Sequence, residues 1–217
     1  MSGSVEEVQI KFRTIFLTLL FFRLTFVFPC DLPDHFDFTV ANNGETLYSG
    51  CYDAIHQGPH IIEYILIKER VESPNVRRPL AQFTQDRDGG VLLALLSEHG
   101  YSLPHHRDYT RSGYDRGHMA PNGDFNDSYE NAVLTFFIAN IWPQLPSVNR
   151  VEWLKTENET RRLAVQYVAV KVIIIVDEFT DRKVGGIQVP LVFKKRVYEV
   201  ESGELVYEAE VYQRVDE

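Results

Sequence analysis

The chain has 217 residues, enough for one well-buried domain with little room for a second. Hydrophobic residues make up 44% and charged residues 24%, which excludes an intrinsically disordered protein; no internal repeat or low-complexity segment is visible. The net charge of −9 weighs against a polyanionic partner, but seven acidic residues and one basic residue lie in Glu199–Glu217, so that tail alone carries −6. The field at a cleft matters more than the total, and Arg77, Arg78, Arg107, Arg111, Arg116, Arg150, Arg161 and Arg162 are available to shape it.

Lys11 and Arg13 precede an apolar stretch, residues 15–28, that is interrupted by Arg23 and two threonines. It is short of the ~20 apolar residues that a comfortable membrane span needs, and it fits the hydrophobic region of a signal peptide better. Residues 1–29 are therefore expected to be an export signal or a membrane anchor, and the chain to be secreted or membrane-anchored through residues 15–28. Arg23 and the lack of a small-x-small cleavage site before Cys30 count against this; the alternative is a buried strand or helix. The cysteines are Cys30 and Cys51. In an exported chain they are expected to pair. In a cytosolic chain they are expected to be two small buried hydrophobes. Cleavage after Cys30 would remove the bridge.

Residues 30–60 are rich in Gly, Asn, Asp and Pro, and read as loop with short strands. Residues 61–68 form a predicted strand. Residues 71–88, with two prolines and many charges, read as an irregular excursion, and 91–97 is a short apolar segment. Residues 100–113 are polar loop with His105, His106 and several arginines. Asp127 and Glu130 have capping-box spacing. Residues 134–141 form a predicted strand. A helix is expected from Ser147 or Asn149 to about Leu163, followed by a continuous β-branched run, 164–176, typical of a buried central strand. Residues 189–200 and 204–212 alternate, with Ser202-Gly203 as the hairpin turn. The fold class expected is α+β: an antiparallel sheet with helices packed on it.

Between the polar loop and the next apolar run lies Tyr114-Asp-Arg-Gly-His-Met-Ala-Pro121. Asn149 follows His118 by 31 residues, and Glu157 follows Asn149 by eight. A histidine can take a proton from water near neutral pH. An arginine can fork onto a phosphate oxygen. A neutral amide oxygen is a hard ligand for Mg²⁺ or Mn²⁺. Phosphodiester hydrolysis needs these three functions together. On a straight helix Asn149, Trp153 and Glu157 drift only about 80° around the axis, so Trp153 could pack beneath the other two. Taken singly, each has a bland reading: a structural histidine, a helix-capping asparagine, a solvated glutamate.

Together with Asn131-Ala-Val-Leu-Thr-Phe136 and Asn140-Ile-Trp-Pro-Gln144, the pattern resembles the DNA/RNA non-specific endonucleases, the ββα-metal nucleases that include mitochondrial endonuclease G. The match is strongest from Tyr109 to Arg162, is weaker over 48–88 and 189–194, and covers most of residues 45–212. The resemblance implies a ββα-metal finger within a nuclease domain, residues 30–217, that cuts DNA and RNA with Mg²⁺ (or Mn²⁺). It implies His118 as general base, Asn149 as the one direct protein ligand of the metal, and Glu157 holding metal-bound water. It implies Arg116 on phosphate and Asn140 as a brace. Arg78 would be a second substrate arginine, though the spacing to Phe83 is one residue off and Arg77 is an equal candidate. Asp115 would anchor its strand rather than perform chemistry. The chain departs from the family at Asp177-Glu178, where Thr-Gly is usual, and in its short 180–186 loop. The competing expectation is a catalytically silent nucleic-acid-binding protein of the same fold.

Overall fold

The computed structural model describes residues 30–80 and 83–214. The expected export signal or anchor of residues 1–29 therefore lies outside the described residues. Among the described residues, ten strands and four α-helices follow in this order. Strands β1 (His35–Asn42), β2 (Glu45–Asp53) and β3 (Gly58–Ile67) lead into the short α1 (Lys68–Glu72) and α2 (Val91–Glu98). Then come β4 (Asp115–His118), α3 (Tyr129–Leu134) and β5 (Ile141–Gln144). A π-helical segment, Val148–Trp153, runs directly into α4 (Leu154–Tyr167). The chain ends in β6 (Ala169–Ile175), β7 (Phe179–Val184), β8 (Ile187–Pro190), β9 (Val192–Glu199) and β10 (Leu205–Tyr212).

Six strands form one sheet in the order β1-β2-β3-β6-β9-β10, and every pairing is antiparallel. The α+β class expected from the sequence is what the chain adopts. Central β6 is buried on both faces: Val170, Val172 and Ile174 are fully enclosed on one, and Lys171 and Ile173 nearly so on the other. The Lys171 ammonium meets Glu63 of β3 at 3.0 Å on that second face. Helix α4 packs on β3, β6 and β9. The core beneath it holds Tyr48, Tyr52, Phe125, Phe137, Trp142, Trp153 and Phe193.

Several local expectations need correction. Residues 30–60 are not mainly loop: they form β1 and β2, joined at Asn43-Gly44, where both residues take positive φ as a two-residue hairpin turn requires. The apolar run 134–141 is not a strand. It is the end of α3, a 3₁₀ turn at Ile138–Asn140 and the first residue of β5. Its hydrophobicity reflects burial of Phe136, Phe137, Ile138 and Ala139, which a short apolar run reports without revealing the backbone shape. Residues 164–167 belong to α4; Val168 at φ +68° breaks the helix, and the strand begins at Ala169. The cap of α3 is Ser128, whose hydroxyl accepts from Asn131 N–H at 3.1 Å, while the Asp127 carboxylate accepts from the Asn131 amide and pairs with Arg70. The strand foreseen over 189–200 is split at Leu191, and the Ser202-Gly203 hairpin is present.

Candidate active site

Strands β4 and β5 pair as a short ribbon, with Asp115 opposite Gln144, Arg116 opposite Pro143, Gly117 opposite Trp142 and His118 opposite Ile141. The π-helical segment and α4 follow at once, giving the ββα arrangement. Gly117 is required by close approach: a Cβ there would fall on the Gln144 side chain, which crosses the strand. Asn140, fully buried, braces the residues just after the histidine. Its Oδ1 accepts from Ala120 N–H at 2.8 Å, and its Nδ2 donates to the carbonyls of Ala120 (2.9 Å) and Thr135 (3.0 Å). The Trp153 indole N–H donates to the His118 carbonyl at 3.2 Å, tying the helix to the DRGH strand.

His118 is 8% exposed, and its Nε2 has no hydrogen-bond partner among the described residues. Phe83 and Phe136 flank the ring, each with a centroid 5.4 Å away. Burial, with the charge of Arg78 adding to it, pushes the imidazolium down to about 3, so at neutral pH the ring is neutral with a lone pair to offer. Arg78 lies over the Phe136 ring and its charge acts on His118, which places it at the site. Arg116 is held by the His106 carbonyl through Nε (3.2 Å) and Nη2 (2.6 Å), with its guanidinium over the rings of Phe83 and Tyr109. The rest of the fork remains for another acceptor. The His106–Tyr109 turn that supplies this carbonyl is itself capped reciprocally by His105 and Asp108.

Asn149 sits in the π-helical segment, half-buried. Its Nδ2 donates to Asp115 at 3.0 Å, which leaves the amide oxygen as the end that can bind a cation. Asp115 also takes a bidentate pair from Arg150, at 2.8 Å on both oxygens. The Arg150 hydrogen bonds, and to a lesser degree the one from Asn149, hold the Asp115 carboxyl below the usual range against the effect of its partial burial. Asp115 thus anchors the Asn149 side chain as well as its own strand. The straight-helix spacing assumed between Asn149 and Trp153 does not hold, because these turns are π-helical and wider; such turns are frequent at functional sites. Trp153 is fully buried and stacks at a tilt on Phe193 of β9.

Glu157, one turn into α4, has a side chain 14% exposed and lies 3.6 Å from Arg161. Burial raises its carboxyl pKa, opposed by the positive charges of Lys195 and Arg161. Arg161 in turn grips Asp124 at 2.5 Å, and Asp124 accepts from the Tyr64 hydroxyl at 2.7 Å. In the sequence Arg161 stood only among the arginines shaping the field; its i, i+4 spacing to Glu157 is the signal that could have placed it here. Asp124, Tyr64 and Lys195 carried no motif, and only the fold brings them there. Among the described residues no three His, Cys, Asp or Glu side chains form a metal-ligand group. One amide oxygen, with a carboxylate eight residues on in the continuous helical segment, is a hard-donor set suited to a cation that keeps most of its waters, and lacks the Cys and His donors that zinc prefers.

A family model described as DNA/RNA non-specific endonuclease matches residues 35–214. The chain is 31% identical over 120 residues to human mitochondrial endonuclease G, covering 55% of this chain and 37% of that protein. It is 30% identical over 127 residues to the mitochondrial nuclease of Saccharomyces cerevisiae, covering 58% and 36%. The matched part thus spans little more than a third of either relative. Among solved structures, the EndoG/EndoGI complex superposes with a TM-score of 0.64 at 26% identity, over 82% of this chain and 74% of that one. The chain belongs to the DNA/RNA non-specific endonuclease family.

Proposed function

We propose that this protein is a Mg²⁺-dependent, sugar-non-specific endonuclease that hydrolyses phosphodiester bonds of DNA and RNA. The observation that carries the reading is the neutral, enclosed His118, whose Nε2 lacks a partner, set beside Arg78 and Arg116 and tied through Trp153 to the helix bearing Asn149 and Glu157. His118 Nε2 accepts the proton of the attacking water. Arg116, immobilised on the His106 carbonyl, and Arg78 bind phosphate oxygens. Asn149 and Glu157 would hold the cation, Mn²⁺ being an acceptable substitute; when bound it would neutralise charge on the phosphate and stabilise the leaving oxygen. None of these groups is placed to read base edges, so no sequence preference is expected. Supercoiled plasmid and an RNA transcript should both be degraded in Mg²⁺ and spared in excess EDTA, with cutting suppressed by salt. Binding without cleavage would make the protein a silent binder, and a single discrete cut would point to a specific endonuclease.

We also infer that the chain is exported or membrane-anchored through residues 15–28. The Cys30–Cys51 disulfide supports this, since such bridges persist in oxidising compartments. N-terminal sequencing of protein from its own cells tests it: an intact Met1 in a soluble cytosolic protein would overturn the proposal.

A further inference from the structure

Lys195 of β9 is fully buried, and its ammonium has no hydrogen-bond partner among the described residues. A charge placed this way is unfavourable for folding, and an apolar side chain of similar length would fill the space at less cost. Its surroundings point to another reason for its presence. The Nζ atom lies 4.2 Å from the centre of the Trp153 ring, a cation–π contact on the residue that stands between Asn149 and Glu157 in the chain. The same indole donates to the His118 carbonyl. Lys195 also acts electrostatically on Glu157 and on Asp124. Around α4, therefore, two carboxylates, Glu157 and Asp124, are balanced by two cations, Arg161 and Lys195. Arg161 is already committed to Asp124 at 2.5 Å and reaches Glu157 only at 3.6 Å. Without Lys195, Glu157 would be left to share one guanidinium with a second carboxylate.

We propose that Lys195 is a positioning residue: a buried positive charge behind Trp153 that keeps the Glu157 carboxylate in place to serve a divalent cation. It touches neither substrate nor cation and acts through Glu157 and Trp153. The inference rests on the nuclease reading for its catalytic consequence, but not for its effect on cation binding.

The test compares wild type with Lys195→Met and Lys195→Arg in three measurements: thermal unfolding, Mn²⁺ binding by calorimetry without nucleic acid, and steady-state plasmid cleavage. Lys195→Met, which leaves Glu157 and Asp124 sharing one cation, should still unfold cooperatively, at or somewhat below the wild-type temperature. It should bind Mn²⁺ about 10-fold more weakly and lose about 10–100-fold in kcat with KM for DNA unchanged, the usual cost of losing a group that orients a metal ligand. Lys195→Arg, which keeps the charge, should recover part of both losses. Wild-type Mn²⁺ affinity and kcat in Lys195→Met would overturn the proposal. If Lys195→Met fails to fold, Glu157→Gln/Lys195→Met decides. Recovery of folding in the double variant shows that the two charges are coupled and supports the proposal, whereas failure makes Lys195 a packing residue and overturns it. If wild-type protein binds Mn²⁺ but cuts nothing, the nuclease reading fails while the calorimetry still judges Lys195.

Discussion

Asn140→Leu should be among the most damaging single substitutions in the site region, and the reason can be counted. The leucine keeps the branched shape of asparagine, but its methyls are bulkier than the amide's oxygen and nitrogen, so overpacking adds to the lost hydrogen bonds. Ala120 N–H and the carbonyls of Ala120 and Thr135 each lose a partner from a fully buried side chain. An orphaned buried group costs about 1–3 kcal/mol, and a carbonyl with a second lone pair falls near the low end. The sum is roughly 3–5 kcal/mol, a large part of a typical domain's stability. At a urea dependence of about 2 kcal/mol per molar, the unfolding midpoint should fall by roughly 1.5–2.5 M. Trp142 and Trp153 are fully buried, so intrinsic fluorescence reports the transition. Asn140→Asp adds a signature. One oxygen can still accept from Ala120 N–H, but the other faces two carbonyls and needs a proton to coexist with them. Its folded pKa is therefore raised, and the variant should be most stable below the ordinary carboxylate range and weaken as pH rises. An Asn140→Leu midpoint within about 0.3 M of wild type would refute the bracing role.

Gly117→Ala should destabilise by about 1–3 kcal/mol and abolish cleavage, because the new methyl meets Gln144; chemical denaturation and a nicking assay check both, and wild-type behaviour would refute the packing argument. His118 is depressed by burial first and by Arg78 second, so the acid limb of kcat/KM should lie well below the ordinary histidine value. Arg78→Ala should move that limb to higher pH, and an unmoved limb would remove Arg78 from the site. The same depression means that only the unfolded chain takes up this proton as pH falls below about 6.5, so His118 contributes a loss of stability from there down towards about 3. Reducing Cys30–Cys51, which are 21 residues apart, should cost about 3 kcal/mol and lower the unfolding temperature by roughly 6–12 °C; no shift would deny the bridge a stabilising role.

The DRGH segment, Asn140, Asn149 and Glu157 were singled out through the family resemblance, and the fold sets them on β4, the turn before β5, the π-helical segment and α4. The family, the α+β class and the C-terminal hairpin were legible too. What escaped were features set by distant packing. The run 134–141 was misread because burial alone does not distinguish a strand from a turn. The β1–β2 hairpin was hidden in a segment whose Gly, Asn and Asp content resembles loop, although Asn43-Gly44 is itself a hairpin signal. Asp124, Tyr64 and Lys195 lie on three separate elements, and no local pattern reports that α4 gathers them beside Glu157.

The most direct single measurement is the cleavage rate of His118→Ala in saturating Mg²⁺, with and without added imidazole. The rate should fall by about 10²–10⁴, the usual worth of a positioned base, and imidazole diffusing into the vacated space between Phe83 and Phe136 should restore part of it. Cleavage by the folded variant at near wild-type rate, insensitive to imidazole, would show that His118 is not the base.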